Sequence, residues 1–179
     1  MDSRPVEPVA PDPSRRRYSA QSLPRYRYVP TLNPHPCADP RGHSYERPGT
    51  PPKRPPLVPP ERWRECDTYL FGADLYNYAY WWEAHETWES IWQSSDKAGV
   101  QGRFLQGLIQ ISAAHLKRHM RQREGMLRLL ERARDHLDFV EASARSAFMG
   151  LDLTTFRQSV DRYFARGAAP YPFIELGRP

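Results

Sequence analysis

The chain has 179 residues, 39% of them apolar and 26% charged, with 19 prolines, two cysteines and a formal net charge of +5. That length admits one domain of ordinary size plus extensions, and no stretch approaches the roughly 20 consecutive apolar residues of a membrane span. The amino terminus lacks the apolar core of a secretory signal, and Cys37 and Cys66 alone make neither a disulfide framework nor a four-cysteine zinc site, so a soluble, cytoplasmic protein without a membrane partner is expected.

The composition divides the chain in two. Sixteen of the prolines lie in residues 1–60, which carry 10 Lys+Arg against 5 Asp+Glu; residues 61–179 carry 16 of each. Proline fixes φ and removes a backbone donor, so the first part cannot build helices or central strands. Residues 1–22 read as a disordered basic tail, and residues 23–60 as a proline-rich arm ending in an extended spacer, TPPKRPPLVPP. Between them, Leu23 to Tyr45 holds Tyr26, Tyr28, Val29, Leu32 and Tyr45. Aromatics are scarce in disordered tails, which predicts that this section packs on the folded part. Asp39-Pro40-Arg41-Gly42 has the residue order of a turn.

From residue 61 to 176 the pattern is helical. A first helix is predicted from about Cys66 to Trp92, bent near Gly72, followed by a polar loop from Ser94 to Gly99. A second helix covers about Val100 to Arg121. A third begins near Glu124 and is ended by Gly150, with Met126, Leu130, Ala133, Leu137, Val140 and Ala144 as its buried stripe. A last short helix runs from Thr154 to Phe164, capped by Asp152 or Thr154. Short links favour antiparallel neighbours, and no strand pattern competes. The fold class is therefore all-α: a small antiparallel bundle of about four helices with the arm packed partly on it.

Polar residues fall where the first helix should be apolar. At about 100° per residue with Trp81 at zero, Leu70, Trp88 and Trp92 lie within about 20°, and Phe71, Tyr78 and Trp82 further round one side. His85 then falls at about 40° and Glu89 at about 80°, inside that arc, with Glu86 at its edge and Glu83, Thr87 and Ser90 pointing away. An inward carboxylate must be paired or neutralised, and His85 and Glu89, four apart, can partner one another. On the second helix Gln106 and Gln110 share a face, so two amides, an imidazole and carboxylates are expected to converge between the first two helices.

The segments LYNYAYWWEAHETWESIW (Leu75 to Trp92) and FLQGLIQISAA (Phe104 to Ala114) together resemble the domain-of-unknown-function 309 family. Glu83, Ala84, His85, Glu86 and Glu89 match its E-A-H-E-x-x-E segment, and Leu105 to Gln110 its L-Q-G-L-I-Q segment. Arg128 to Ala133 is similar to its third helix, and Tyr28 to Ser44, with PHP and DP-GHS elements, to the arm of longer members. Tyr78-Ala79 and Trp88 depart from the family pattern, which is smaller or aliphatic there. The resemblance implies an α-helical domain of bacterial or archaeal type and supplies no reaction.

Three readings of the polar set follow. In the first, His85 and Glu89, spaced as in H-E-x-x-H motifs and joined by His43 of the arm, hold a divalent metal. In the second, Glu86 or Glu89 is a general base oriented by His85, while Gln106, Gln110 and Trp82 hold a small polar ligand, in a hydrolase-type reaction or in binding alone. In the third, the set is a satisfied buried network that fixes helix register. The modest basic excess and the mixed charges of the third helix do not point to nucleic acid as a partner.

Overall fold

The computed structural model describes residues 13–51, 55–144, 147–166 and 171–177, together with Pro5 and Pro8. The rest of the expected tail before residue 13, and residues 52–54 of the expected spacer, lie outside the described residues. After a 3-10 helix at Pro60–Glu65 come α1 (Asp67–Asn77), α2 (Trp81–Trp92), α3 (Val100–His119), α4 (Arg123–Ala144) and α5 (Leu153–Arg166). A two-residue hairpin, β1 (Ala147–Phe148) with β2 (Leu151–Asp152), precedes α5 and pairs Phe148 with Leu151. The fold is an all-α bundle. Strands of two residues are too short to leave an alternation in the sequence.

The expected first helix is two helices, and the break is not at Gly72. Tyr78 caps α1 and Ala79 takes φ 63°. The Tyr80 amide then returns to the Leu75 carbonyl (2.8 Å) and the Ala79 amide to the Tyr76 carbonyl (3.0 Å), the bond pair of a helix stop with a left-handed residue after the cap. Gly72 sits inside α1, where the missing side chain lets the Trp88 indole lie against the backbone.

Helix α3 is buried along most of its length, from Phe104 and Leu105 through Leu108, Ile111 and Ala114, because its surface is apolar or small nearly all round. It packs between α2 and α4. The α4 stripe is as expected through Val140, with Met126, Leu130, Ala133, Leu137 and Val140 buried, while Ala144 at its end is half-buried. Asp152 accepts the Thr155 amide at 2.8 Å, capping α5. The carboxyl-terminal segment closes the bundle at the end of α1. The Asn77 side chain donates to the Ile174 carbonyl (2.8 Å) and accepts the Ile174 amide (2.7 Å), so both halves of a buried amide are satisfied.

The arm lies on α1 and α2, and its described part begins earlier than composition suggested. Asp74, fully buried on α1, accepts the Tyr18 and Ser19 amides at 2.8 and 2.9 Å and pairs with Arg17 at 3.3 Å. Residues 17–19, assigned by composition to the disordered tail, are therefore held by one carboxylate. Arg27 donates to the Tyr78 carbonyl (2.7 Å) and stacks on Tyr80, whose hydroxyl donates to the Pro24 carbonyl (3.0 Å). Tyr28 and Val29 are buried, while Leu32 and Tyr45 remain exposed. Asp74→Ala removes three arm contacts at once and is expected to raise the rate of limited tryptic cleavage after Arg17 by at least about tenfold, with helix content unchanged. An unchanged rate would show that Asp74 does not hold the arm.

Candidate functional site

Helix α2 carries the polar set, and its buried face lies elsewhere than the rotation about Trp81 implied. Trp81, Ala84, Trp88 and Ile91 are buried. At about 100° per residue the small and aliphatic Ala84 and Ile91 centre this face on the opposite side of Trp81 from Trp82. His85 and Glu89 consequently sit on the rim. Their side chains are 28% and 35% exposed, and that of Glu86 is 45%. The expected inward imidazole and carboxylate are a correction, because the angular frame was carried through a helix break at Ala79.

Glu83, placed outside by the same reasoning, is the buried carboxylate of α2. What buries it is the arm. Its Oε1 accepts the Tyr28 amide at 2.9 Å and lies 3.0 Å from His43 Nε2, and the Glu83 and His43 side chains are each only 5% exposed. Its Oε2 has no hydrogen-bond partner. Burial pushes the Glu83 pKa above the ordinary carboxylate range, against the opposing pull of its own amide, His43 and the Tyr28 amide. The dyad therefore combines an imidazole with a carboxyl group whose charge is poorly solvated.

The turn foreseen at Asp39–Gly42 delivers His43. The Gly42 amide donates to the Asp39 carbonyl at 2.8 Å, and a Cβ at Gly42 would stand 2.1 Å from the Pro36 carbonyl oxygen, so only glycine fits there. His43 Nδ1 lies 2.8 Å from Ser44 Oγ, and the Tyr26 ring packs on the imidazole with centroids 4.6 Å apart. Trp82 meets Tyr28 and His35 edge-on at 5.3 and 5.4 Å. Between the arm and α1–α2 runs a groove of about 660 Å³. Phe71, Leu75 and Trp82 form its apolar wall, and His43, Ser44, Glu83, Glu86, Thr87 and Cys37 are among its polar groups. Among the described residues no lysine or arginine lines it; Lys53 and Arg54, just before the lining residue Pro55, lie outside the described residues.

The remaining candidates divide. His85, Glu86 and Glu89 do gather: Nδ1 is 3.2 Å from Glu86 and Nε2 is 3.6 Å from Glu89, and one ligand atom from each lies within 4.8 Å of the others. This group could hold a divalent ion. The imidazole offers a different nitrogen to each carboxylate, so one ion shared by all three requires the ring to release one of them. His43, the third metal candidate, is bonded to Glu83 instead. Gln110 is buried with its Oε1 unpartnered and Gln106 is half-buried. Among the described residues neither amide hydrogen-bonds to His85 or Glu89, so the expected network between the first two helices does not form. His115 is fully buried and bonded to the Tyr76 hydroxyl (2.9 Å).

Glu83 and Asp74 are the residues that reasoning from the sequence missed. Glu83 is the third residue of α2, where a carboxylate meets free helix amides. Recognising the helix start after Tyr78-Ala79 would have singled it out.

Fold and site together define a helical domain with a groove between α1–α2 and its own amino-terminal arm, two carboxylates among its described lining residues. The family model described as domain of unknown function (DUF309) matches residues 69–129, from α1 into α4, and bears out the family likeness over that stretch. No curated protein matches the chain. No helix among the described residues is long and apolar enough to cross a membrane.

Proposed function

We propose that the protein is a cytoplasmic ligand-binding domain whose groove takes a small molecule bearing a cationic or N–H-rich group. The observation that carries the reading is the Glu83 carboxylate, with one oxygen taken up by Tyr28 and His43 and the other making no hydrogen bond of normal geometry, its own helix-start amide being the one further N–H that acts on the group. A buried carboxylate oxygen lacking a partner is costly, and a donor brought by a ligand offsets that cost. The groove volume lies in the range of small-molecule sites, and its apolar, partly aromatic wall beside a few polar groups is their usual make-up. Among its described lining residues two carboxylates stand without a lysine or arginine, which favours a cationic group over a phosphate although the chain as a whole is basic.

Benzamidine, a planar amidinium on an aromatic ring, suits both wall and charge. Calorimetric titration should show benzamidine binding and no binding of benzoate. Glu83→Gln should weaken benzamidine at least about tenfold, the loss expected for a charge-assisted hydrogen bond. Equal binding of benzoate, or an unchanged affinity in Glu83→Gln, would overturn the reading.

A further inference from the structure

The same groove holds a third group in line with the dyad. We propose that Ser44 is an activated nucleophile, its hydroxyl hydrogen-bonded to His43 Nδ1 (2.8 Å) and His43 Nε2 in turn to the buried Glu83 carboxylate (3.0 Å). The relay rests on the groove being a ligand site, as read above, and adds a reaction to it.

The tautomer follows from the neighbours. Glu83 Oε1 already accepts the Tyr28 amide, and a backbone N–H can only donate. With Glu83 ionised, Oε1 accepts from both Tyr28 and His43, and in the neutral ring His43 Nε2 then carries the proton while Nδ1 presents its lone pair. The hydrogen at Ser44 must then point from Oγ to Nδ1, which is the arrangement of a hydroxyl beside its general base. A serine that merely caps a neighbouring imidazole needs no buried carboxylate on the ring's far side. Here that carboxylate holds the ring, and α2 and the Asp39–Gly42 turn fix the two ends. Ser44 itself is exposed and lines the groove, so a substrate reaches it.

The chemistry this permits is acyl transfer from an ester bearing the cationic group that the groove takes. Ser44 Oγ bonds to the carbonyl carbon as its proton passes to His43 Nδ1. The imidazolium so formed is paired with Glu83, a positioning residue for this step. The ester C–O bond then breaks, and the leaving alcohol takes the proton from Nδ1. Water removes the acyl group by the same path, so that ester and water give acid and alcohol.

The test treats the full chain with an alkyl phosphonofluoridate. An Oγ–P bond forms, the P–F bond breaks, and the serine proton leaves with fluoride. Intact mass and peptide mapping should find one adduct, on Ser44, absent in Ser44→Ala and formed about a hundredfold more slowly in His43→Gln. No adduct, adducts spread over several hydroxyls, or an unchanged rate in His43→Gln would overturn the proposal. His43 also helps to hold the arm, so the wild-type pH profile is a second readout that needs no variant. The groups facing the ring are Glu83 from α2 and Ser44 and Tyr26 from the arm. Labelling should climb to a plateau as one group loses its proton, and a rate that keeps climbing with hydroxide would also overturn the relay. Benzamidine separates the two readings. If it binds without any labelling of Ser44, the relay fails and the groove stands; if labelling proceeds and benzamidine neither binds nor slows it, the cationic ligand class fails and the relay stands.

Discussion

Trp88→Ala is expected to remove about 3–5 kcal/mol of unfolding free energy, the range for deleting a large aromatic from a core. Trp88 is completely buried, its indole N–H donates to the Tyr69 carbonyl at 3.2 Å, and Tyr76 lies against it with centroids 6.1 Å apart. The indole is thus the piece that joins α2 to α1. The join is close because Gly72 leaves room: a Cβ there would stand 2.2 Å from the indole nitrogen. Gly72→Ala alone is therefore expected to cost about 1–3 kcal/mol by overpacking. The double variant should cost less than the sum, since the new methyl enters the space the indole vacated. Urea unfolding followed by circular dichroism measures all three. A loss below about 1 kcal/mol in Trp88→Ala would show that the two helices are held by something else.

The helices were legible wherever a single buried stripe ran along one rigid element. The α4 stripe from Met126 to Val140 and the all-round apolar surface of α3 both left periodic patterns; α3 falls within two residues of expectation and α4 starts within one, but it stops at Ala144, short of the expected end at Gly150, where the β1–β2 hairpin intervenes. The break between α1 and α2 was not legible, because its signal is usually a glycine or asparagine after the cap and here it is Ala79. Tertiary contacts override the local preference: Ala79 is almost fully buried, and Arg27 and Tyr80 tie the break to the arm.

That one missed break propagated into the site. Carrying one angular frame from Leu70 to Trp92 placed the tryptophans on a common face and drew His85 and Glu89 inward. With α2 taken alone, Ala84 and Ile91 define the inside, and tryptophans 82 and 92 lie half-buried on its margins. The pairing of His85 with Glu89 survived, because i,i+4 contact depends only on local helix geometry. Glu83 was invisible for a different reason. Its burial comes from an arm some 40 to 55 residues earlier in the chain, and no period within α2 can report a lid supplied by another segment. The arm's own aromatics did report it: Tyr26 and Tyr28, singled out as aromatics that disordered tails lack, meet the dyad, the first by its ring on His43 and the second by its amide on Glu83.

Acidification should reveal the buried groups with opposite signs. His115 lies fully buried, stacked on Trp81 at 4.5 Å, with Tyr76, Arg118, His119, Tyr163 and Tyr171 around it. Burial first, then the neighbouring His119 and Arg118, hold its pKa well below the ordinary histidine value. The unfolded chain therefore takes up a proton near pH 6.5 that the folded chain refuses. The stability His115 provides is complete above that pH and is lost below it at about 1.4 kcal/mol per pH unit. His136, lowered by partial burial and by Arg103, acts in the same direction. Asp74 and Glu83 oppose them, since burial raises both carboxyl groups in the fold. Their contribution is complete below the unfolded carboxylate range of about 4 and is lost as pH rises through the higher folded values. Between pH 6.5 and 4.5 the wild type should consequently lose stability less steeply than His115 and His136 alone dictate. Removing a titrating carboxyl by Asp74→Asn should steepen the loss, and His115→Gln should flatten it by up to about 1.4 kcal/mol per pH unit. Urea midpoints at half-unit steps across that range provide the comparison. A stability that rises on acidification in Asp74→Asn would mean that His115 takes a proton in the folded state as readily as in the unfolded chain.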